Sequence, residues 1–152
     1  MRYQHVYLSL FLLFAPFLLS AHGSEKATLE ITFTGMRSSK GKLAIGINDS
    51  PEGWPYAPLL EPNWLKEKNE DGTMTVTITD LAYGTYAVSA LDDENGNLEM
   101  DKSFGIPKEG YGFSRDAKVG MGPPKFEDCA IEIDEPLVKI TITIRYFGKS
   151  GK

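Results

Sequence analysis

Several short stretches of the chain alternate apolar and polar residues with a period of two, as half-buried β-strands do. Residues 84–92 are apolar at both parities, which indicates a central strand covered on both faces. A seventh strand is expected in the middle of the chain. The six clear stretches are ATLEITFTG, KLAIGIN, TMTVTITD, GTYAVSALD, CAIEI and VKITITIRY.

The connections between these stretches favour turns over helices. Residues 57–72 have some helical character, but Pro62 and the Asp-Gly pair at 71–72 limit it to a turn or two. The polar residues 35–42 predict a first hairpin, and Gly84 predicts another turn. We therefore predict an all-β chain, a single antiparallel β-sandwich of about seven strands.

Two connections are much longer than the others, residues 48–72 and residues 92–128. Loops beyond about 12–15 residues are uncommon in compact domains, and they are usually functional or disordered. The second connection carries many apolar residues, which predicts a long ordered loop anchored on the sandwich. The expected anchors are Phe104, Ile106, Tyr111, Phe113, Val119, Met121 and Phe126.

The first residues have the pattern of a secretory signal peptide. Arg2 precedes an apolar run, and Ala21 and Gly23 suit a cleavage site before Ser24. The run is shorter than the about 20 residues that a membrane-spanning helix needs. We predict a signal peptide at 1–23 and one exported domain at 24–152, periplasmic or secreted, with no stable membrane insertion after cleavage.

Cleavage changes the chemistry that the chain can offer. The formal net charge of the whole chain is −5, and loss of Arg2 leaves 15 basic against 21 acidic residues, or −6. Without a basic cluster, the protein is a poor candidate for binding nucleic acid. Both histidines, His5 and His22, leave with the signal peptide. A histidine-activated nucleophile and a histidine-bound zinc are therefore excluded.

Cys129 is the only cysteine, so no intramolecular disulfide can form. It lies in a strand-like run and is predicted to be a small buried core residue. Dimerisation through Cys129 is the alternative.

An acidic stretch, LDDENGNLEMD at residues 91–101, follows the predicted central strand. Its oxygen-bearing residues have the spacing of positions 1, 3, 5, 7 and 9 of a calcium loop. Leu98 stands where such a loop has glycine, and Phe104 stands where it has a bidentate glutamate. The candidate calcium ligands are Asp93, Asn95, Asn97, the carbonyl of Glu99, and Asp101.

Two other interpretations of this stretch stay open. Asn95-Gly96 and Asn97 can form a tight turn whose side chains cap backbone groups while the acids stay solvated. Alternatively, Asp93 and Asp101 could act as hydrolytic carboxylates with Arg115 as an electrophile. Nothing in the sequence gives these acids distinct environments, so catalysis is the weakest of the three.

Aromatic residues of the two long connections are either anchors or stacking groups for a ligand. A phosphate-binding role for the glycines of residues 105–124 is excluded, because no helix follows them; they are expected to permit tight turns. Arg115 is expected to pair with the acidic stretch. The candidate ligand-binding residues are Trp54, Tyr56, Tyr111, Phe113 and Arg115.

The motifs DENGN, GIPKEGYGFS and GPPKFED, with NDSPEGW before them, resemble a family of exported bacterial proteins, domain of unknown function 2141. The resemblance covers about residues 27–147 and implies an Ig-like or transthyretin-like sandwich without established activity. In that family a histidine often stands at the position of Asp92, and a second glycine at the position of Leu98. The residues that match its acidic loop are Asp93, Asn95, Gly96, Asn97 and Asp101.

These observations favour a non-enzymatic module that binds a ligand or protein partner in the bacterial envelope. The alternative is a structural module stabilised by calcium at residues 93–101.

Overall fold

The computed structural model describes residues 25–65 and 71–148, and the predicted signal peptide at 1–23 lies outside them. The described chain is mostly β, with two short helical turns, a 3₁₀ turn at Ser114–Asp116 and α1 at Phe126–Cys129. The strands are β1 Lys26–Thr34, β2 Lys42–Asn48, β3 Asn63–Leu65, β4 Met74–Ala82, β5 Gly84–Asp93, β6 Lys102–Ser103, β7 Ile106–Pro107, β8 Gly110–Phe113, β9 Ile131–Ile133 and β10 Leu137–Thr143.

The first sheet has the order β10-β1-β4. Ile31 of β1 pairs with Val76 of the antiparallel β4 and with Ile140 of β10. The β1–β10 pair is parallel, which departs from the predicted all-antiparallel arrangement. Two parallel strands of one sheet need a long connection between them. The chain between the end of β1 and the start of β10 supplies that connection.

The second sheet has the order β3-β2-β5-β8, with β9 also paired to β5. β5 is central, as its apolar pattern predicts, because β2 runs along one side while β8 and β9 pair with different ends of the other. Val88 and Ala90 of β5 point into the main core, and Ala87 points into a smaller apolar cluster on the opposite face.

The main core draws its side chains from both sheets. Phe33, Leu43, Val88, Ile133 and Ile142 are all essentially inaccessible to solvent. They come from β1, β2, β5, β9 and β10, so the two sheets share one apolar cluster. This confirms the prediction that the alternating strands bury one face.

The predicted first hairpin is wrong. Residues 35–42 cross between the two sheets instead, because β1 and β2 lie in different sheets. The helical turn predicted within residues 57–72 is absent from residues 57–65, where Trp64 of β3 pairs with Leu43 of β2; residues 66–70 lie outside the described part of the chain. Pairing with an exposed strand edge outweighs the weak helical tendency there.

The long loop is ordered but not anchored as predicted. It contains three short strands and both helical turns. Phe113 and Phe126 are buried, which confirms them as anchors. Four of the other predicted anchors have substantially exposed side chains, so the prediction is wrong for Phe104, Ile106, Val119 and Met121. Short local strand pairings hold the loop without them.

Cys129 is a free, fully buried thiol, as predicted, although it ends α1 rather than beginning a strand. Burial raises its pKa from the ordinary 9.0 to about 11. Within residues 25–65 and 71–148, no helix is long and apolar enough to cross a membrane.

Candidate functional site

The sequence Gly-Tyr-Gly-Phe of β8 divides its residues between two faces. A Cβ on Gly110 would lie 2.6 Å from Cε1 of Tyr146, and one on Gly112 would lie 2.6 Å from Cγ2 of Ile142. These glycines therefore let the strand approach β10 and the residues that follow it, rather than permitting the turns expected from the sequence. Tyr111 and Phe113 consequently face the opposite, outer side of the second sheet.

That outer face forms the floor of an open cavity of about 320 Å³. Three of the five predicted ligand-binding residues, Tyr56, Tyr111 and Phe113, line it. The structure therefore brings aromatic residues of the two long connections together. Most other lining residues are small or aliphatic, among them Ala44, Gly46, Ser89, Leu98 and Met100.

Small residues of β2 and β5 give the cavity its depth. A Cβ on Gly46 would lie 2.7 Å from Oγ of Ser89 and 3.4 Å from the ring of Pro58. Ala44, two residues earlier on the same face, adds only a methyl group. A larger residue at Ala44 would occupy space that is now open to a ligand, whereas at Gly46 even a Cβ would press against Ser89.

Trp54, the fourth candidate, stabilises the wall of the cavity. Its ring makes edge contacts with Phe113 and Phe126, at centroid distances of 5.9 and 6.1 Å. Its Nε1 donates a hydrogen bond to the carbonyl of Pro124 at 2.9 Å. Trp54 is therefore an anchor that positions Phe113, whereas the side chain of Tyr56 is 80% exposed at the mouth.

Arg115 does not pair with the acidic stretch, so that prediction is wrong. Its guanidinium lies 3.5 Å from the carbonyl oxygens of Glu127 and Ala130. A cation that does meet the acidic stretch is Arg37, whose Nε donates to Glu94 at 3.1 Å. Arg37 lies in the segment that crosses between the sheets, and no local signal in the sequence pairs it with Glu94.

Arg37 also lies against Tyr146, with its guanidinium carbon 4.3 Å from the ring centroid. The hydrogen bond to Glu94 raises the pKa of Arg37. The contact joins the crossing segment, the start of the acidic stretch and the end of the described chain.

The carboxylate of Asp93 organises the acidic stretch. Asp93 is fully buried and accepts the backbone N–H groups of Gly96, Asn97 and Leu98 at 2.7, 3.2 and 2.8 Å. The Oδ1 of Asn95 accepts the N–H of Asn97 at 2.9 Å. This is the backbone-capping arrangement expected of a tight polar turn.

The candidate calcium ligands lie partly together. Asp101 accepts hydrogen bonds from the amide groups of Asn95 and Asn97 at 2.7 and 3.4 Å. Leu98 has a φ of +64°, the left-handed conformation suited to the glycine of a calcium loop. Among the described residues, no three His, Cys, Asp or Glu side chains gather as a metal site. Calcium binding stays a prediction.

Two further acids are buried beside this turn and have structural roles that the sequence did not indicate. Glu109 accepts the N–H of Glu94 at 2.9 Å and the N–H of Asp101 at 3.2 Å, so it ties the two ends of the acidic turn together. Asp92 accepts a hydrogen bond from the hydroxyl group of Tyr146. Only the fold reveals these roles, because each partner is distant in sequence or belongs to another element.

Comparison with known proteins agrees with the resemblance in the sequence motifs. A search of curated proteins gave no match, and a search of solved structures also gave none. A family model described as "Uncharacterized protein conserved in bacteria (DUF2141)" matches residues 31–141, which is most of the chain and includes the cavity and the acidic turn. The chain therefore belongs to this family of uncharacterized bacterial proteins.

Proposed function

We propose that the protein is an exported, non-enzymatic module that binds a small apolar ligand in the cavity on the outer face of β2, β5 and β8. The observation that carries this proposal is the cavity itself, about 320 Å³ in volume with Tyr56, Tyr111 and Phe113 in its lining. Its volume is at the lower end of the range in which proteins bind small molecules, and its mainly apolar lining is typical of such sites.

Exposed apolar side chains around the cavity also support the proposal. Tyr56 and Leu98 line it with exposed fractions of 80% and 49%. Grouped apolar side chains in water mark interaction sites more often than single ones do. A ligand that covers these residues removes apolar surface from water.

We also propose that the protein is exported and that its two sheets form an Ig-like or transthyretin-like sandwich. The signal-peptide pattern of residues 1–23 supports export. The shared core of the two sheets supports the sandwich, because two sheets that bury a common apolar layer form that architecture.

A structural role suits Asp93 better than hydrolysis does. The carboxylate of Asp93 is buried and already accepts three backbone N–H groups. A hydrolytic carboxylate must instead reach substrate or water.

Indole, as an aromatic probe, tests the proposal by titration of the ¹⁵N-labelled protein followed by NMR. Saturable shifts are expected in β2, β5 and β8. Ala44→Phe fills the cavity and should abolish them, whereas Thr77→Phe, on the exposed face of the other main sheet, should leave them unchanged. Equal binding by the wild type and Ala44→Phe would contradict the proposal.

A second candidate is the calcium-stabilised module. The left-handed backbone of Leu98 favours it, since the turn keeps the path of a calcium loop without the usual glycine.

A further inference from the structure

The short strands β6 and β7 form a hairpin with an unusual residue at its tip. Ser103 pairs with Ile106, so Phe104 and Gly105 are the two turn residues. Their φ values are +50° and +80°. Two-residue hairpin turns with positive φ at both positions favour Asn, Asp or Gly, because a larger side chain is strained there. Phenylalanine is therefore a poor choice for the turn itself.

Packing does not account for this phenylalanine either. The side chain of Phe104 is fully exposed, at 103% of its reference area. A Cβ built on Gly105 would meet nothing within 4 Å, so the tip projects away from the body of the protein. A strained residue with no packing gain is a candidate for function, since such local conflicts concentrate at functional sites.

The same molecule carries a site suited to this ring. Tyr111 and Phe113 lie side by side in the cavity, with ring centroids 6.3 Å apart, and Leu98 forms part of its wall. Aromatic rings pack against one another in offset or edge-to-face pairs, so a further ring can pack against Tyr111 or Phe113. The cavity is therefore chemically matched to Phe104.

The charges beside the tip and the cavity are compatible with insertion. Lys102 and Lys108 flank the hairpin turn, and both are exposed. Among the described residues that line the cavity there is no Lys or Arg, and the charged residue in the lining is the acid Glu61. The two lysines beside an inserted ring would therefore meet no like charge in the lining.

We propose that Phe104 of one molecule inserts into the cavity of a second copy of this chain. The inference rests on the proposed function, because it requires that the cavity accept an apolar group. Each molecule carries one tip and one cavity, so the contact either repeats head-to-tail into chains or rings, or closes reciprocally as a two-fold dimer. The contact area of one hairpin tip places it among weak, concentration-dependent interfaces.

Sedimentation velocity on the purified protein, up to about 1 mM, a range suited to weak association, tests the proposal. The average mass of the wild type should rise with concentration to at least twice that of the monomer. Phe104→Asn removes the ring and relieves the strained turn, because asparagine tolerates positive φ. This variant should fold and stay monomeric, and Ala44→Phe, which blocks the cavity, should stay monomeric too.

The mixture of the two variants gives the sharpest result. Phe104→Asn keeps the cavity and Ala44→Phe keeps the ring, so an equimolar mixture should form one-to-one dimers and nothing larger. A wild type that stays monomeric throughout, a mixture that stays monomeric, or unchanged association of Phe104→Asn would each overturn the inference.

Indole binding separates this inference from the proposed function. If indole binds in the cavity while the wild type stays monomeric, the small-ligand function stands and self-association is wrong. If the variants and their mixture associate as expected while indole does not bind, the cavity is an assembly site and the small-ligand function is wrong.

Discussion

The phenol of Tyr146 donates a hydrogen bond to the buried carboxylate of Asp92. Its oxygen also accepts the backbone N–H of Arg37 at 3.0 Å. The end of the described chain is thereby fastened to the end of the central strand and to the segment that crosses between the sheets. The acidic turn begins at this junction.

Tyr146→Phe should lower the free energy of unfolding by about 1–3 kcal/mol, because it leaves buried polar groups without this hydroxyl. Urea denaturation followed by circular dichroism measures the change. Tyr56→Phe is the matched control, since the Tyr56 side chain is exposed, and it should alter stability little. Equal stabilities of the two variants would contradict the role given to Tyr146.

The same junction should make stability sensitive to alkaline pH. Burial, and then the hydrogen bond to Asp92, raise the pKa of Tyr146 above its ordinary value of 10.0. Because the folded pKa is the higher one, the contribution of Tyr146 is complete below pH 10 and is lost as the pH rises above it. Denaturation midpoints between pH 9 and pH 12 should fall more steeply for the wild type than for Tyr146→Phe; parallel curves would refute this assignment.

Asp93→Ala should lower the free energy of unfolding by about 3 kcal/mol, because three backbone N–H groups lose a charged acceptor. Glu99→Ala, an exposed acid of the same turn, is the control and should change stability little. The measurement is urea denaturation in the presence of a chelator. If Asp93→Ala is as stable as the control, hydrogen bonds to Asp93 do not hold the turn.

Calcium can be tested on the same variants. If the second candidate function is correct, calcium raises the melting temperature of the wild type relative to chelator, because a ligand that binds only the folded state stabilises it. Asp93→Ala should lose that rise. Identical melting temperatures of the wild type at millimolar calcium and in chelator would refute the calcium module.

Leu98→Gly should raise stability by up to about 1 kcal/mol, because glycine relieves the left-handed strain of a non-glycine residue, although its greater freedom when unfolded offsets part of the gain. Leu59→Gly, at another exposed leucine, should lower stability. Denaturant midpoints of both variants measure the difference. A destabilised Leu98→Gly would show that contacts of the leucine side chain outweigh the strain.

The sequence pattern was enough to predict six of the strands, and the alternation of apolar and polar residues predicted the buried face of β1, β2, β4 and β10. The order of those strands was not predictable locally, since the parallel β1–β10 pair joins opposite ends of the domain. The Gly-Tyr-Gly-Phe run was ambiguous for the same reason. Its glycines are needed only because Ile142 and Tyr146 approach from a distant part of the chain.

The candidate site was predicted in part. Aromatic residues in two long connections indicated a site, and three of them do line one cavity. The floor of small residues, Ala44 and Gly46, belongs to a strand with no distinguishing motif. Arg37 was assigned to a turn, and its contact with Glu94 depends on how two remote segments meet. Such contacts follow from tertiary packing, which local patterns do not encode.

The position of a bound probe tests the central claim most directly. Intermolecular nuclear Overhauser effects should connect protons of indole with the methyl groups of Ala44, Leu98 and Met100, which lie on the floor and one wall of the cavity. Contacts to the methyl groups of all three residues are the result that the proposed function predicts. Saturable binding without them, or no binding at millimolar indole, would contradict it.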